Sequence, residues 1–387
     1  MVRQPPPRAW TAESVRRIEA DRARSADTHL LRMHFAGFPG VDIYFKDEST
    51  HPTGSLKHRL ARSLFLCALC DGRLGPGQVV IDASSGSTAI SEAYFARLLE
   101  LPYIAVMPRD TAPAKVREIE ALGGRCDFVD DGCEVYARAA ALTAQLGGVY
   151  LDQFSNAERA TDWRGNNNIA ESIIEQMRLE PHVSPDWIVC GAGTGGTSAT
   201  IGRYLRYRKL PTQLCVAEPA GCAFARGWPT RTRAIEHAHA SCIEGIGRCR
   251  VEPSFLFEVV DDVIEVDDAA SCAGAWLLAE LTGRRFGGSS GTNLVASLQL
   301  AARMQASGRR GSIVTLLCDR GERYADTVFD RAWLARHGLD IGPWLDALRA
   351  AMTIGKFAGP RDEPAIASSA AADGRQPKIS TRLEDAA

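Results

Sequence analysis

The feature that most constrains this chain is a regular alternation of short apolar segments with longer segments of helical periodicity. The apolar segments predict strands at residues 41–45, 78–82, 103–107, 125–129, 149–151, 186–190, 214–217, 263–266 and 312–317. The periodic segments predict helices at residues 12–27, 55–70, 88–99, 114–122, 134–146, 197–207, 269–281 and 294–305. Strands that alternate with helices favour parallel sheets covered on both faces, so we predict an α/β fold.

The length of 387 residues exceeds what one ordinary hydrophobic core holds. We therefore predict two domains, each a mostly parallel twisted sheet flanked by helices. Residues 45–154 form the smaller domain and residues 155–345 the larger one, with residues 1–44 as an N-terminal segment packed on the larger domain. Gly, Pro, Ala, Ser and charged residues dominate the end of the chain, so residues 346–387 are predicted to be a disordered tail.

Charge and composition exclude several classes of partner. The formal net charge is -2, from 45 basic and 47 acidic side chains, which argues against nucleic acid or an anionic membrane as the main partner. The start of the chain lacks the apolar region of a signal peptide, and no apolar run approaches the ~20 residues of a membrane span.

The 11 cysteines are scattered, which suits a reducing compartment, so we expect a cytoplasmic protein. Cys67 and Cys70 form a C-x-x-C pair. We interpret them as small apolar residues one helical turn apart rather than as a redox pair or half of a zinc site. No metal site is predicted.

Three turns rich in Gly, Ser and Thr stand before predicted helices, where an open α/β sheet binds its ligand. The first, residues 52–59, places Lys57 in the first turn of a helix. Unsatisfied backbone N–H groups and the positive end of the helix dipole disfavour a proton on its amine, which favours a nucleophile. The alternative is a solvated lysine at a helix start.

The other two turns suit anions. Residues 83–88 combine hydroxyl groups and a glycine with a helix N-terminus, which suits a carboxylate, although local capping explains the same residues. In residues 191–197 the glycines allow backbone N–H groups to turn inward around a phosphate. No Gly-Lys-[Ser/Thr] follows, so this is not a Walker loop.

A dinucleotide site is an alternative for the third turn. Gly191, Gly193 and Gly196 match G-x-G-x-x-G, and Glu218 follows at about the place of a ribose-binding acid. An NAD-dependent oxidoreductase is therefore a remote alternative. It leaves Lys57 and the hydroxyl-rich turns without a function, and it places the first βαβ unit far into the chain.

Taken together and in order, these segments resemble the fold-type II pyridoxal phosphate (PLP) enzymes, the cysteine synthase and cystathionine β-synthase superfamily, from about residue 35 to 330. The resemblance implies a tryptophan synthase β-like fold, PLP as cofactor, a small amino acid as substrate and a homodimer. Lys57 corresponds to the Schiff-base lysine. The implied cofactor-binding residues are Lys57, Ser87, Gly193, Thr194, Gly195, Gly196, Thr197 and Ser289, of which Ser289 faces the ring nitrogen. The implied substrate-binding residues are Ser84, Ser85, Gly86, Thr88, Gln153 and Gly245.

Two departures from the family pattern are informative. Ser87 replaces an asparagine that contacts the cofactor and the substrate, so we expect that contact to be lost or replaced by water. Residues 161–168 replace the His-Tyr-x-Thr-Thr-Gly stretch of the synthases. Both departures resemble the bacterial L-cysteine desulfhydrases. Arg320 replaces a small residue, and the sequence assigns it no role.

The resemblance therefore predicts a PLP-dependent carbon–sulfur lyase that eliminates hydrogen sulfide from L-cysteine and leaves pyruvate and ammonia. The alternatives are β-replacement of O-acetylserine by sulfide, as in cysteine synthase, and a cystathionine β-synthase-like activity. Lys57 is the natural general base for the Cα proton. His58 is expected to point away from the site, because neighbouring residues do not share a helix face.

Overall fold

The computed structural model describes residues 5–235 and 238–359. Its strands are β1 His29–Met33, β2 Val41–Asp47, β3 Val80–Ala83, β4 Tyr103–Pro108, β5 Arg125–Val129, β6 Val149–Tyr150, β7 Trp187–Gly191, β8 Gln213–Pro219, β9 Asp262–Val266 and β10 Gly311–Leu317. Its helices are α1 Arg8–Ala23, α2 Lys57–Cys70, α3 Ser87–Leu98, α4 Pro113–Ala121, α5 Val135–Leu146, α6 Gln153–Ala160, α7 Ile169–Met177, α8 Gly196–Tyr207, α9 Ala223–Gly227, α10 Asp268–Thr282, α11 Gly288–Ala306, α12 Arg331–Arg336 and α13 Gly342–Ile354.

The strands form two sheets. The larger has six strands in the order β1-β2-β10-β7-β8-β9, and the smaller has four in the order β5-β4-β3-β6. Every pair is parallel except β1 with β2. β3 and β10 are buried along their whole length, as expected for strands with helices on both faces. The predicted α/β class is confirmed.

Each sheet has a hydrophobic core on both faces. On the larger sheet, Val189 packs with Leu298 of α11 on one face, and Ile188 packs with Ile201 of α8 on the other. On the smaller sheet, Val80 belongs to the core beneath α2 and α3, while the core on the other face lies beneath α5. This double covering makes the strand ends, rather than the sheet faces, available for a site.

The N-terminal segment contacts both layers. Strand β1 pairs with β2 in the larger sheet, but Ile18 of α1 lies in the core beneath α2 and α3 of the smaller sheet. The segment therefore does not pack on the larger layer alone, and β2 crosses the predicted limit at residue 44. Helix α1 ends at Ala23 rather than at the predicted residue 27, and strand β1 beyond it was not predicted. The predicted domain limits themselves stay a prediction.

The predicted tail begins too early. Residues 346–354 belong to helix α13, whose Leu348 is fully buried against the larger sheet's core, so the prediction is wrong for that stretch. The remainder of the tail from residue 360 lies outside the described residues. In the part of the chain that the structure describes, every helix is too short or too polar to cross a bilayer.

Candidate active site

The three hydroxyl- and glycine-rich turns meet in one cleft of about 280 Å³. Strands β3, β7 and β10 end at this cleft, and helices α2, α3, α8 and α11 begin beside it. The predicted site residues that line it are Lys57, Ser84, Ser85, Gly86, Ser87, Thr88, Gln153, Gly193, Thr194, Gly195, Thr197, Gly245 and Ser289. Gly196 lies behind the turn, where a Cβ would come within 2.7 Å of the Ala157 side chain.

Main-chain hydrogen bonds to the end of β10 fix the segment that carries Lys57. Ser55 and Asp319 form an antiparallel bridge, and the Leu56 N–H donates to the Cys318 carbonyl at 2.9 Å. The Lys57 N–H donates to Ser55 Oγ at 3.1 Å. The lysine is therefore held at the cleft by a strand from the far end of the chain.

The surroundings of Lys57 favour its neutral amine. Burial lowers the pKa of Lys57, and the nearby Arg248 guanidinium lowers it further. Cys318 and Asp319 act in the opposite direction without reversing the shift. A lysine whose pKa is lowered presents the free amine that a nucleophile or a general base needs.

The turn after β7 forms a cradle for an anion. Gly195 is the N-cap of α8 with φ +88°, a conformation that favours glycine. A Cβ on Gly195 would lie 2.5 Å from Phe255 Cα, and one on Gly193 would overlap the Gly245 carbonyl oxygen. Because neither position accepts a side chain, the turn packs closely on Gly245 and Phe255 and places the N-terminus of α8, which favours an anion, at the cleft.

The turn after β3 is supported from within. Ser84 Oγ accepts a hydrogen bond from the Ala89 N–H at 3.1 Å. Thr88 Oγ1 donates to Gln153 Oε1 at 2.9 Å, and Gln153 Nε2 donates to the Ala83 carbonyl at 3.1 Å. Thr88 and Gln153, predicted to bind substrate, thus also fix the shape of the loop at the N-terminus of α3.

Ser87 is held by residues that follow β10. Its hydroxyl donates to Asp319 Oδ2 at 3.1 Å and accepts from Arg323 Nη1 at 3.0 Å. Tyr324 donates its hydroxyl to the same Asp319 oxygen at 2.6 Å. The short side chain that replaces the family's asparagine is therefore occupied by protein groups.

Asp319 is a site residue that the sequence analysis missed. It is 5% exposed, and its Oδ1 has no hydrogen-bond partner among the described residues. Burial raises the pKa of Asp319, although Tyr324, Arg323 and Ser87 oppose the shift. Its position directly after a buried strand at the ligand-binding edge of the sheet is the signal that pointed to it.

Ser289 lies at the start of α11, next to Cys318. The serine is 7% exposed and lines the cleft. Burial raises the pKa of the Cys318 thiol to about 12, so the thiol stays protonated. The Ser289 hydroxyl suits a hydrogen bond to a neutral ring nitrogen rather than an ion pair.

Arg248 and an ion pair define the mouth of the cleft. Arg248 donates to Tyr136 Oη at 2.9 Å and to Glu252 at 3.1 Å, with its guanidinium 4.8 Å from the Phe154 ring centroid. A buried lysine of α4, Lys115, forms an ion pair with Glu244 of the 243–247 loop. Neither the Arg248–Tyr136 contact nor the Lys115–Glu244 ion pair was predicted, because each joins segments that are distant in the sequence.

Other residues that the sequence singled out lie outside the cleft. Arg320 donates its Nε to the Ser49 carbonyl at 3.1 Å and packs over Gly54. Glu218 is fully buried away from the cleft, and burial raises its pKa well above the usual value. Because Glu218 is inaccessible, it does not suit a ribose, which argues against the dinucleotide alternative. His58 points away from the cleft, as its adjacency to Lys57 predicts.

The residues present fit pyridoxal phosphate. The Gly193–Thr197 cradle suits its phosphate, the Lys57 amine suits its aldehyde, and Ser289 suits its ring nitrogen. The loop over residues 84–88 lies at the start of α3, where a helix N-terminus suits the substrate carboxylate that the resemblance predicts.

Comparison with known proteins identifies the family. The sequence profile of a family described as pyridoxal-phosphate dependent enzyme matches residues 25–319. An L-cysteine desulfhydrase of Mycobacterium tuberculosis (strain ATCC 25177 / H37Ra) is 58% identical over 341 residues, which cover 87% of this chain and 93% of that protein. A cysteine synthase of Aquifex aeolicus (strain VF5) is 31% identical, covering 74% of this chain and 83% of its own.

Among solved structures, a hydrogen sulfide-producing enzyme from Fusobacterium nucleatum matches with a TM-score of 0.72 and 23% sequence identity. The match covers 82% of this chain and 92% of that chain. At this identity the likeness shows the fold alone, and it confirms the predicted fold-type II architecture.

Proposed function

Because the chain belongs to the family of pyridoxal-phosphate dependent enzymes, we propose that it is an L-cysteine desulfhydrase, a carbon–sulfur lyase that converts L-cysteine into hydrogen sulfide, pyruvate and ammonia. The observation that carries the proposal is the 58% identity to an L-cysteine desulfhydrase over 87% of this chain. The cleft supports it, since it contains a lysine with a lowered pKa between two anion sites.

The Lys57 amine would hold the cofactor, with the Gly193–Thr197 turn on its phosphate and Ser289 at its ring nitrogen. When bound, pyridoxal phosphate supplies an electron-accepting ring that acidifies the Cα–H of the amino acid. Ser289, unlike a carboxylate, gives little support to a protonated ring nitrogen. This favours departure of the β-substituent together with the Cα proton.

The chain's own residues then orient the substrate and move one proton. Backbone N–H groups and hydroxyls of residues 84–88 bind the substrate carboxylate at the start of α3. The free amine of Lys57 removes the Cα proton, because burial and Arg248 keep its pKa low. Arg248 also places a positive charge in the wall of the cleft, which favours an anionic leaving group such as hydrosulfide.

Incubation with L-cysteine alone tests the proposal. We expect equal amounts of sulfide and pyruvate from purified protein that carries a visible absorption band, and loss of that band with borohydride. The competing function is cysteine synthase. Absence of pyruvate, together with rapid cysteine formation from O-acetylserine and sulfide, would replace the lyase by the synthase.

Three further expectations belong to this proposal. The enzyme is expected to act in the cytoplasm, to assemble as a homodimer, and to divide into domains over residues 45–154 and 155–345. Light scattering during size-exclusion chromatography measures the assembly state. Limited proteolysis of the full chain, followed by mass spectrometry of the fragments, tests the predicted domain limits.

A further inference from the structure

A second cavity borders helix α2 through side chains that do not line the active-site cleft. This rear cavity has a volume of about 400 Å³, larger than the cleft's 280 Å³. Its lining residues with polar or charged side chains include Arg22, Asp27, His51, His58, Arg59 and Arg62. A cavity of this size holds a metabolite-sized ligand.

Two of the three arginines in the wall are neutralised by carboxylates. Arg59 contacts Glu48 at 2.7 Å and Asp27 at 2.9 Å. Arg22 contacts Glu19 at 2.9 Å. These pairs leave the third arginine as the distinctive group of the wall.

Arg62 is buried without a carboxylate. It is 8% exposed, and its Nη2 donates to the Asn166 carbonyl at 2.9 Å. Its Nε has no hydrogen-bond partner in the described part of the chain. A guanidinium buried without a carboxylate is costly, and an anion bound in the cavity that Arg62 lines would offset that cost.

The charged groups around Arg62 act in both directions. Burial lowers the pKa of Arg62 to about 10, and Arg59 and Arg22 lower it further, whereas Glu19 and Asp27 raise it. Those carboxylates are themselves paired with Arg22 and Arg59, so an anion in the cavity would meet Arg62 as the guanidinium without an ion pair of its own.

The loop of residues 161–168 connects this wall to the cofactor cradle. The carbonyl of Asn166 accepts from Arg62, and the carbonyl of Asn167 accepts from Arg59 at 2.8 Å. Both asparagines have positive φ, 60° and 52°. The same loop lines a small cavity together with Thr194 and Thr197 of the cradle. This is the segment that departs from the synthase pattern.

We propose that the rear cavity is an effector site for a small organic anion, a carboxylate or a phosphate ester, bound chiefly by Arg62. Oxygens of the anion accept hydrogen bonds from the guanidinium and compete with the Asn166 carbonyl for it. Release of that carbonyl changes the loop beside Thr194 and Thr197, so occupancy of the rear cavity alters catalysis at the cleft. By thermodynamic linkage, binding of substrate at the cleft changes affinity for the anion by the same factor.

Calorimetry with the holoenzyme tests binding, with malonate and inorganic phosphate as separate probes for the two chemistries. We expect Arg62→Gln to weaken binding of the preferred probe about tenfold, as for loss of a charge-assisted hydrogen bond. Arg73→Gln is the matched control, because Arg73 is exposed beyond the end of α2 and pairs with Asp71. That variant should bind like the wild type.

Steady-state kinetics distinguishes an anion bound in the rear cavity from one that competes with substrate in the cleft. An anion in the rear cavity changes kcat for L-cysteine, and Arg62→Gln abolishes the change. Purely competitive inhibition that Arg62→Gln leaves intact, or no binding of either probe, would overturn the proposal. So would an Arg62→Gln variant that changes only the assembly state, since a second copy would then cover the cavity.

Two measures keep the test informative. Arg62→Lys retains the charge with fewer donors, so we expect intermediate affinity if the glutamine variant does not fold. Calorimetry of binding does not depend on which amino acid the enzyme consumes, so failure of the desulfhydrase proposal leaves this test intact.

Discussion

Lys57 and Arg59 lie two residues apart in the first turn of α2, yet their charges are in opposite situations. Arg59 contacts the carboxylates of Asp27 and Glu48. Burial alone would lower the pKa of Arg59, but the two carboxylates outweigh it and raise the pKa. Lys57 has burial and the repulsion of Arg248 against its charge, and its pKa is lowered.

The difference shows that burial does not decide the state of a cation by itself. A buried cation between carboxylates stays charged and ties segments together, whereas one without a close carboxylate tends to lose its proton. Arg59 joins α2 to the N-terminal segment and to the end of β2. Lys57 is left reactive.

The largest expected effect on activity comes from replacement of Lys57. Lys57→Ala should lower turnover of L-cysteine by about 10³-fold or more and abolish the visible absorption band. Unfolding of the cofactor-free variant in urea should occur at the same or a higher concentration, because a poorly compensated buried amine has been removed. An active Lys57→Ala enzyme would contradict the assignment.

Glu48→Gln should remove one of the two carboxylates that neutralise Arg59. Burial opposes the charge of Glu48, but Arg59 and His51 outweigh it and hold its pKa well below the usual value. Loss of one partner leaves Arg59 poorly neutralised, so we expect a decrease of about 3–5 kcal/mol in the free energy of unfolding at pH 7. Urea denaturation measures it.

The pH dependence of that effect has a definite sign. Because the folded-state pKa is depressed, the contribution of Glu48 is fully present above about pH 4.5 and is lost as the pH falls through the folded-state pKa. The matched control is Glu19→Gln, whose half-exposed pair with Arg22 contributes less than about 1 kcal/mol. Equal losses in the two variants would refute the distinction.

Asp82 extends the comparison to an acid without a cationic partner. Asp82 and Glu92 are both fully buried, and Tyr103 donates to Glu92 at 2.8 Å. Burial raises the pKa of Asp82 to about 7. The folded state therefore holds a proton that the unfolded state releases, and wild-type stability should fall as the pH rises from about 4 to about 7.

Asp82→Asn should reduce this slope, while Glu92, whose pKa burial also raises, keeps its own contribution. At pH 8 we expect the variant to be more stable than the wild type by about 4 kcal/mol at most, the equivalent of three pKa units, with no advantage at pH 4. Thermal unfolding across this range measures the difference. A constant difference between the two proteins at every pH would show that titration of Asp82 is not its cause.

The smallest effect concerns the repulsion between Arg248 and Lys57. In Arg248→Gln the pKa of Lys57 should rise by less than about one unit, so the neutral amine appears at higher pH. The rate at which cofactor-free protein takes up pyridoxal phosphate should show its rising limb displaced toward alkaline pH.

Arg250→Gln is the control for this displacement. Arg250 shares Glu252 with Arg248, and its guanidinium lies 4.4 Å from the Tyr136 ring centroid, but it does not line the cleft. We expect no displacement in this variant. The same displacement in both would assign the effect to Glu252 or Tyr136 rather than to Arg248.

The sequence predicted those parts of the site whose chemistry is local. The glycines of the turn after β7 and the lysine at the start of α2 are encoded by neighbouring residues, and the structure brings them into one cleft. The hydrogen bond from Ser87 to Asp319 joins residues separated by 232 positions. No local pattern announces such a contact, so Arg323 and Tyr324 were missed, and for Asp319 the sequence offered only its place directly after a buried strand.

Prediction of the fold from the sequence was also limited to elements with a local signal. Buried parallel strands have continuous apolar runs and were predicted, because burial on both faces determines their composition. Strand β1 is a partly exposed edge strand whose only partner is β2, so its residues carry no comparable run. Helix α13 is stabilised by packing of Leu348 and Ala351 on a distant core, which its Ala-rich sequence did not reveal.

The bonds between the Lys57 segment and the end of β10 also bear on how the protein is made. Ser55 leaves the ribosome early, whereas its bridge partner Asp319 is among the last residues of the sheet to emerge. A nascent chain therefore carries its lysine for most of translation without the strand that completes the pocket. Closing so long a loop is slow, so capture of the cofactor is an event of the finished polypeptide, and chains cut short by early termination should stay colourless.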